Sequence, residues 1–160
     1  MPYDISKLHI EPEAVHFMDE FWKHKTLEEM SVEEWESLCD GCAKCCIHKI
    51  QDIDTDEVFY TRVVCKFLDM HRCRCTDYQN RHVNVPTCVV LTPELIPQLT
   101  WLPETCAYRL VSEKKDLPEW HHLRSGSDYL IHKLGHSVRN KVISERDVDM
   151  ERLEDYIVEE

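Results

Sequence analysis

The chain has 160 residues, of which 42% are hydrophobic, so residues 1–160 can bury a core as a single domain without cross-links. The formal net charge of −12 argues against nucleic acid as a general partner, because phosphate binding is driven by lysine and arginine. A small basic patch is still compatible with this charge. No run of about 20 apolar residues is available to cross a membrane, and the first residues lack a secretory pattern. We therefore expect a cytoplasmic protein.

Two helices are predicted before residue 45. Apolar residues recur at helical spacing in the first one, at Ala14, Phe17, Met18, Phe21 and Trp22. The second helix should begin at Ser31, because Ser31 and Glu34 have the spacing of a capping box. If this helix continued, one face would carry Val32, Trp35, Leu38, Cys39 and Cys42. Gly41 disfavours regular helix there, so a tight loop or a helix end is an equally good prediction.

A dense group of cysteines follows in the sequence CDGCAKCC, at residues 39–46. Its last two residues, Cys45 and Cys46, are adjacent. Neighbouring side chains diverge in both helices and strands, so this pair reaches a single tetrahedral ion only with strain. Two metal sites, or one polynuclear cluster, suit the pair better.

Short strands and loops are expected downstream of the cysteine group. The acidic run QDIDTDE, at residues 51–57, is predicted to be exposed, and the β-branched residues that follow predict a strand near Cys65. Cys73 and Cys75 are one residue apart and would point to the same side of an extended segment. Two thiols from such a turn could meet the first group.

The second half of the chain predicts further short elements. Thr92 and Pro93 resemble the start of a helical stretch, which Pro97 interrupts. The sequence WLPETCAYRLV predicts a helix beginning near Pro103, with Cys106, Ala107 and Leu110 near one face. We also expect a short helix at about 128–134, a strand near 138–143 and a helix from about 149 to 158.

All nine cysteines lie in one central segment, and we expect them to bind metal. Disulfides are rare in the cytoplasm and nine is an odd number, so close spacing favours metal ligands or redox groups. The candidate ligands are Cys39, Cys42, Cys45, Cys46, Cys65, Cys73, Cys75, Cys88 and Cys106. Among these, Cys106 has the best claim to a purely packing role, because it lies in an apolar segment. Thiolates suit both iron and zinc, so residue type leaves the metal open.

The histidines are weaker candidates. His48 lies two positions after Cys46 and could complete a zinc site, although an exposed surface histidine is the simpler interpretation. The pairs His121–His122 and His132–His136 resemble a metal site by spacing alone. We therefore do not predict them as ligands.

The fold class expected from these patterns is mainly α with a few short strands (α+β). A single compact domain would be built around a cysteine-rich metal centre at about residues 35–110. No serine elbow, phosphate-binding glycine loop or dinucleotide fingerprint is present. We predict no catalytic residues, and whether the protein is an enzyme is left open.

The spacing Cys39-x-x-Cys42-x-x-Cys45-Cys46 resembles the signature of the bacterial CxxCxxCC family of zinc- or iron-chelating domains. Three later family features have counterparts here: Cys65-Lys-Phe-Leu68, Cys75-Thr-Asp-Tyr78 and Pro86-Thr-Cys88. The sequences WLPETCAYRLV and KDLPEW are similar to the YcgN-like branch, so the resemblance covers most of residues 35–125. The chain differs from the general pattern in the shorter spacing before Cys88 and in the additional Cys73 and Cys106.

This resemblance implies metal chelation in the bacterial cytoplasm. A related cysteine arrangement in flagellin lysine methylases is associated with an iron–sulfur cluster, which extends the expected cofactors to such a cluster. Three functions are therefore open: a chelating protein that stores, delivers or structurally uses iron or zinc; an iron–sulfur redox protein or enzyme; or a zinc-stapled module whose acidic surface binds a protein partner. No nucleic-acid or membrane partner is expected.

Overall fold

The computed structural model describes residues 20–158, which form a mixed α/β structure of short elements. The helices are α1 (Val32–Leu38), α2 (Arg81–Asn84), α3 (Ala107–Ser112), α4 (His122–Ser125) and α5 (Leu130–Lys133). The strands are β1 (Ile47–Gln51), β2 (Val58–Val64), β3 (Leu68–Asp69), β4 (Arg74–Cys75) and β5 (Ile143–Ser144). Short 3-10 turns and irregular segments connect them. Among these described residues, none of the helices is long and apolar enough to cross a bilayer.

The expectation of a mainly helical protein overstated the helix content of the described residues. The α-helices there have four to seven residues, and most of the connecting chain is irregular. The segment from about 149 to 158, predicted as a helix, is a 3-10 segment at Met150–Tyr156. The first predicted helix lies largely outside the described residues, and its last part, Phe21–Lys23, is a 3-10 turn.

Helix α1 begins at the predicted capping box. The Ser31 hydroxyl accepts a hydrogen bond from the backbone N–H of Glu34 at 3.1 Å, and the Glu34 carboxylate accepts one from the N–H of Ser31 at 2.9 Å. Lys25 also donates to this buried carboxylate, at 2.8 Å. The helix ends at Leu38. The predicted continuation of the helix through Cys39 and Cys42 is therefore wrong, and the alternative prediction of a helix end before the cysteine group is correct. Val32, which the stripe placed inward, is 74% exposed.

A three-stranded sheet follows the cysteine group, with the strand order β1-β2-β5. Strands β1 and β2 are antiparallel, and the acidic residues 51–57 between their paired regions are exposed, as predicted. Strand β2 confirms the expected strand near Cys65, which follows its last residue. Strand β5 pairs in parallel with β2 through Val63 and Ile143, so the strand predicted near 138–143 is shorter and later.

The hairpin of β3 and β4 carries Cys73 and Cys75 in different environments. Leu68 pairs with Cys75 across the hairpin. Cys73 has a positive φ of 57° and is only 4% exposed. The prediction of an extended segment with both thiols on one side is therefore wrong, because the chain turns through a left-handed conformation at Cys73.

The helices predicted around Pro93 and Pro103 start later or are replaced by turns. Near Pro93, the Thr92 carbonyl accepts from two backbone N–H groups, but only a 3-10 turn forms, at Ile96–Gln98. Helix α3 begins at Ala107, with Cys106 as its N-cap residue. Helix α5 confirms the short helix predicted at about 128–134.

Two groups of buried residues make up the core. The first contains Phe21, Trp22, Leu27, Leu38, Ile96, Leu102, Ala107, Tyr108, Val111 and Leu117. The second contains Ala43, Val64, Leu68, Cys73 and Val138. Leu38 belongs to the first group and Ala43 to the second. The loop that carries the first cysteines is therefore anchored in apolar packing at both ends.

Candidate metal centre

The loop from Cys39 to Cys46 is shaped by two left-handed residues. Gly41 has a φ of +77° and Ala43 a φ of +62°, which lets the chain turn twice within a few residues. The Asp40 carboxylate accepts a hydrogen bond from the backbone N–H of Cys42 at 2.9 Å. The carbonyl of Cys42 accepts from the N–H of Val138 at 3.0 Å. These contacts fix the loop against the second core group.

Backbone N–H groups point at several of the cysteine sulfurs. The N–H of Lys44 donates to the sulfur of Cys42 at 3.4 Å. Backbone N–H groups also oppose the raised pKa values of three other thiols: that of Gly41 acts on Cys39, that of Phe67 on Cys65, and those of Arg109 and Tyr108 on Cys106. Each such hydrogen bond favours the thiolate, which is the form of cysteine that binds metals.

Four thiols form a first electrostatic group, centred on Cys45: Cys39, Cys42, Cys45 and Cys106. Cys39 and Cys45 are exposed at the surface of this group, and Cys42 and Cys106 are partly buried. Burial, followed by repulsion from Cys45, raises the pKa of Cys39 to about 12. Burial also raises the pKa of Cys106 to about 11, with contributions from Asp40 and Cys45. The pKa of Cys42 is raised well above its ordinary value for the same reasons.

Four other thiols form a second group: Cys46, Cys65, Cys75 and Cys88. The backbone N–H of Cys65 donates to the carbonyl of Cys46 at 3.0 Å, which brings the end of β2 beside the cysteine loop. Burial is the first cause of the raised pKa values of Cys65 and Cys88. Repulsion from Glu145 and Cys75 adds to that of Cys65. For Cys88, repulsion from Cys45 of the first group comes next, followed by Cys65 and Cys75, so Cys88 also interacts with the first group.

A hydrogen bond between neighbouring thiols joins the two groups. The Cys46 thiol donates to the sulfur of Cys45, which lowers the pKa of Cys45 to about 7 and raises that of Cys46. The positive charge of Lys49 also favours the Cys45 thiolate, against the effect of burial. Cys45 is therefore the thiol of this pair that ionises first.

Cys73 lies apart from both groups. It is buried in the second core group, and its thiol donates to the carbonyl of Met70 at 3.7 Å. Cys106, for which the sequence favoured a packing role, contacts the first core group but also lies within electrostatic range of Cys39 and Cys45. The structure thus gathers eight of the nine candidate cysteines into one neighbourhood.

These thiols lie near one another, but they are not arranged as the ligands of a metal ion. In residues 20–158, no group of three or more cysteine, histidine, aspartate or glutamate side chains has an arrangement that could hold a metal ion as it stands. Coordination by either group therefore requires the sulfurs to move closer together. Such movement is expected on metal binding, since a cation would replace thiolate repulsion with attraction.

The chemistry of the donor set fits a thiophilic cation. Sulfur is the soft ligand that iron, iron–sulfur clusters and zinc share. A carboxylate atom, Oδ2 of Asp40, is buried beside the thiols and has no hydrogen-bond partner among the described residues. Burial raises the pKa of Asp40, although the backbone N–H of Cys42 opposes this shift. An unpartnered carboxylate oxygen among buried thiols gives this loop a negative potential that a cation would neutralise.

The histidines that spacing singled out have other partners. His48 contacts the Glu145 carboxylate through Nε2 at 2.6 Å. His132 contacts the Ser137 hydroxyl, and His136 stacks on Trp120. Each of these three histidines therefore has a polar or aromatic partner within the fold.

His121 and His122 instead hold the end of helix α1. Their Nε2 atoms donate to the last helical carbonyls, those of Leu38 and Ser37, at 2.8 and 2.7 Å. Nδ1 of His121 accepts from the N–H of Leu123 at 3.0 Å, so both ring nitrogens are satisfied in the neutral tautomer. The pair fixes the point from which the cysteine loop departs. Sequence reasoning missed this role, because a contact across more than 80 residues leaves no local pattern.

Lys49 is a second residue that sequence reasoning missed. Its ammonium group lies 4.4 Å from the centre of the Trp101 ring and donates to the Ile47 carbonyl at 2.8 Å. Burial lowers its pKa, and the thiolates of Cys45 and Cys46 oppose that shift. The sequence feature that could have indicated a role for Lys49 is its position three residues after Cys46.

The structure is that of a small mixed α/β protein with a cysteine-rich loop. Residues 38–107 match the family model described as "CxxCxxCC: Putative zinc- or iron-chelating domain".

The chain is also similar over most of its length to a set of bacterial proteins. It is 55% identical to a UPF0260 protein of Gluconobacter oxydans over 79% of this chain and 77% of the relative. The identity is 51% to a UPF0260 protein of Pseudomonas putida, over 86% and 92% of the two chains. A UPF0260 protein of Vibrio parahaemolyticus is 57% identical over 80% and 88%. The chain belongs to the UPF0260 family. No solved structure gives a significant match.

The neutral state of His121 predicts a specific loss of stability in acid. Burial lowers its pKa to about 4 from an ordinary value of 6.5. The unfolded chain therefore binds a proton at a higher pH than the folded chain, and stability present above pH 6.5 is lost as the pH falls towards 4. We expect the free energy of unfolding, measured with denaturant, to lose up to about 3 kcal/mol from this group.

The variant His121→Gln separates this effect from the acid sensitivity of the rest of the protein. It should be less stable than wild type at pH 7 and should show a shallower decline between pH 6.5 and 4. The exposed His24 provides the matched variant, His24→Gln, which should retain the wild-type slope. Parallel pH profiles for wild type and His121→Gln would contradict the assignment.

Proposed function

We propose that this protein binds iron or zinc through clustered cysteine thiolates in the cytoplasm. Iron held in an iron–sulfur or polynuclear cluster is the first candidate, and zinc is the second. The observation that carries this proposal is the gathering of eight thiols from four separated parts of the chain. The family model supports chelation of one of these two metals.

We further propose that the eight thiols serve as two sets of four. Cys39, Cys42, Cys45 and Cys106 would form one set, and Cys46, Cys65, Cys75 and Cys88 the other. Four thiolates satisfy a tetrahedral zinc ion or an iron–sulfur cluster equally well. The adjacent Cys45 and Cys46 would then each serve a different set. Cys73 would be the spare thiol of the nine.

If the thiols form two separate sets, a variant that lacks one cysteine should lose the metal of that cysteine's set and keep the other metal. Cys42→Ser and Cys88→Ser should each lose about half of the bound metal, because each removes one ligand from a four-coordinate set. Metal content per chain, measured by elemental analysis after anaerobic purification, checks this. Complete loss in both variants would instead indicate one shared polynuclear centre.

Cys73→Ala is the matched control for these variants. It removes a cysteine that is buried in the second core group, so it should lower stability while leaving the metal content per chain unchanged. The proposal of cysteine-bound metal fails if Cys42→Ser and Cys88→Ser keep the full wild-type metal content.

The identity of the metal requires protein from the native host, because aerobic overexpression can exchange iron for zinc. We expect anaerobically purified protein to contain iron and labile sulfide and to absorb visible light. A colourless preparation that contains zinc without sulfide would support the second candidate and exclude a redox cluster. A double variant, Cys42→Ser with Cys88→Ser, gives the level of adventitious metal. Wild-type metal content no higher than this level would contradict both candidates.

A zinc-stapled interaction module is a second candidate function, favoured by apolar exposure around Cys88. Val83 is 70% exposed, and Val89 and Val90 are 40% and 42% exposed. A metal bound by Cys88 would order this apolar segment for a protein partner. In that case the metal stabilises the fold, and its removal by a chelator should unfold the segment. This candidate function is contradicted if the circular dichroism of the protein and the hydrogen exchange of this segment stay unchanged after the metal is completely removed.

A further inference from the structure

A cavity of about 640 Å³ lies beside the cysteine loop, and cysteines do not line it. Strand β2 forms one wall through Tyr60, Thr61 and Arg62. The segments 100–105 and 137–142 form the others, and the lining includes Lys44 and Ile47 of the cysteine region. Its size is within the range of small-molecule sites, about 300–1,000 Å³.

The charges that line this cavity are opposite in sign to those of the protein as a whole. Four cationic side chains line it, those of Lys44, Arg62, Arg109 and Lys141, against the single carboxylate of Glu104. The chain has 31 acidic and 19 basic residues. Such a concentration of positive charge in a concave part of an acidic protein would focus the local potential on an anion.

Two of these cations, Arg62 and Lys141, have no carboxylate partner within residues 20–158. The Arg62 guanidinium lies 5.3 Å from the centre of the Tyr156 ring, and Lys141 donates to the Gly135 carbonyl, both of which are neutral partners. In the part of the chain that the structure describes, Lys44, Arg62 and Lys141 form no ion pair. Arg109 is the exception, since its Nε donates to Glu113 at 3.1 Å.

We propose that this cavity binds a small oxyanion with several carboxylate or phosphate groups. Lys44 faces the Asp40 carboxylate, which leaves Arg62 and Lys141 as the uncompensated cations. Two such charges exceed what a single monovalent anion would neutralise. The hydroxyl groups of Thr100 and Thr105 also line the cavity and add neutral hydrogen-bond donors. The apolar side chains of Ile47, Leu102 and Val138 supply a surface for a carbon skeleton.

The cavity lies next to the first group of thiols in the chain, although none of these cysteines lines it. Lys44 lies between Cys42 and Cys45 in the chain, and residues 102–105 lead into Cys106. A bound anion would therefore contact both segments that carry this group. The anion site does not depend on the metal proposal, because its charged residues are lysines and arginines.

The test measures anion binding by isothermal titration calorimetry with two probes. Propane-1,2,3-tricarboxylate represents oligocarboxylates, and inorganic phosphate represents phosphate groups. The protein is used as purified, with its metal content measured before and after titration. We expect at least one probe to bind wild type, and the probe that binds more tightly identifies the source of the oxyanion groups. Absence of binding by both probes at millimolar concentration would overturn the proposal.

Charge variants then locate the site. Arg62 and Lys141 are exposed at the cavity, so the double variant Arg62→Gln with Lys141→Gln should fold. It should weaken binding at least tenfold. The control variant Lys133→Gln with Arg146→Gln removes two exposed cations outside the cavity and should change affinity less than twofold. Each single variant, Arg62→Gln and Lys141→Gln, should weaken binding by an intermediate factor. Equal losses in the cavity and control double variants would show nonspecific electrostatics and refute the assignment.

Discussion

Mutual repulsion among thiolates is the constraint on which this structure depends. Eight cysteines share one neighbourhood, and burial together with neighbouring thiolates raises the pKa of most of them. The set therefore cannot ionise fully unless a cation offsets its charge. Backbone N–H groups aimed at four of the sulfurs reduce this cost without removing it. Metal binding and the stability of this region are consequently expected to be coupled.

The surrounding fold serves mainly to hold the cysteine segments together. His121 and His122 fix the end of helix α1, and Val138 holds the carbonyl of Cys42. The backbone N–H of Cys65, just after β2, donates to the carbonyl of Cys46, and Cys106 is the N-cap residue of the short helix α3. Most of the cysteines lie in the loops and turns beside these elements rather than within them.

Local sequence patterns predicted the features that depend on neighbouring residues. The capping box at Ser31 and the strand before Cys65 are confirmed, because hydrogen bonds within four residues and side-chain branching determine them. The left-handed turn at Cys73 and the role of His121 could not be predicted. Cys73 adopts a positive φ that its residue type does not signal, and His121 acts through a contact with Leu38. The grouping of the thiols likewise depends on long-range contacts, so spacing indicated the candidate ligands without dividing them.

X-ray absorption at the metal edge tests the central claim most directly, since it counts the atoms bound to the metal in the folded protein. If cysteine thiolates bind the metal, its ligand shell should be dominated by sulfur at about 2.3 Å, as in thiolate sites of zinc. The same shell should be retained in Cys73→Ala. A shell made of oxygen and nitrogen atoms, with the cysteines still reactive as free thiols, would contradict thiolate binding.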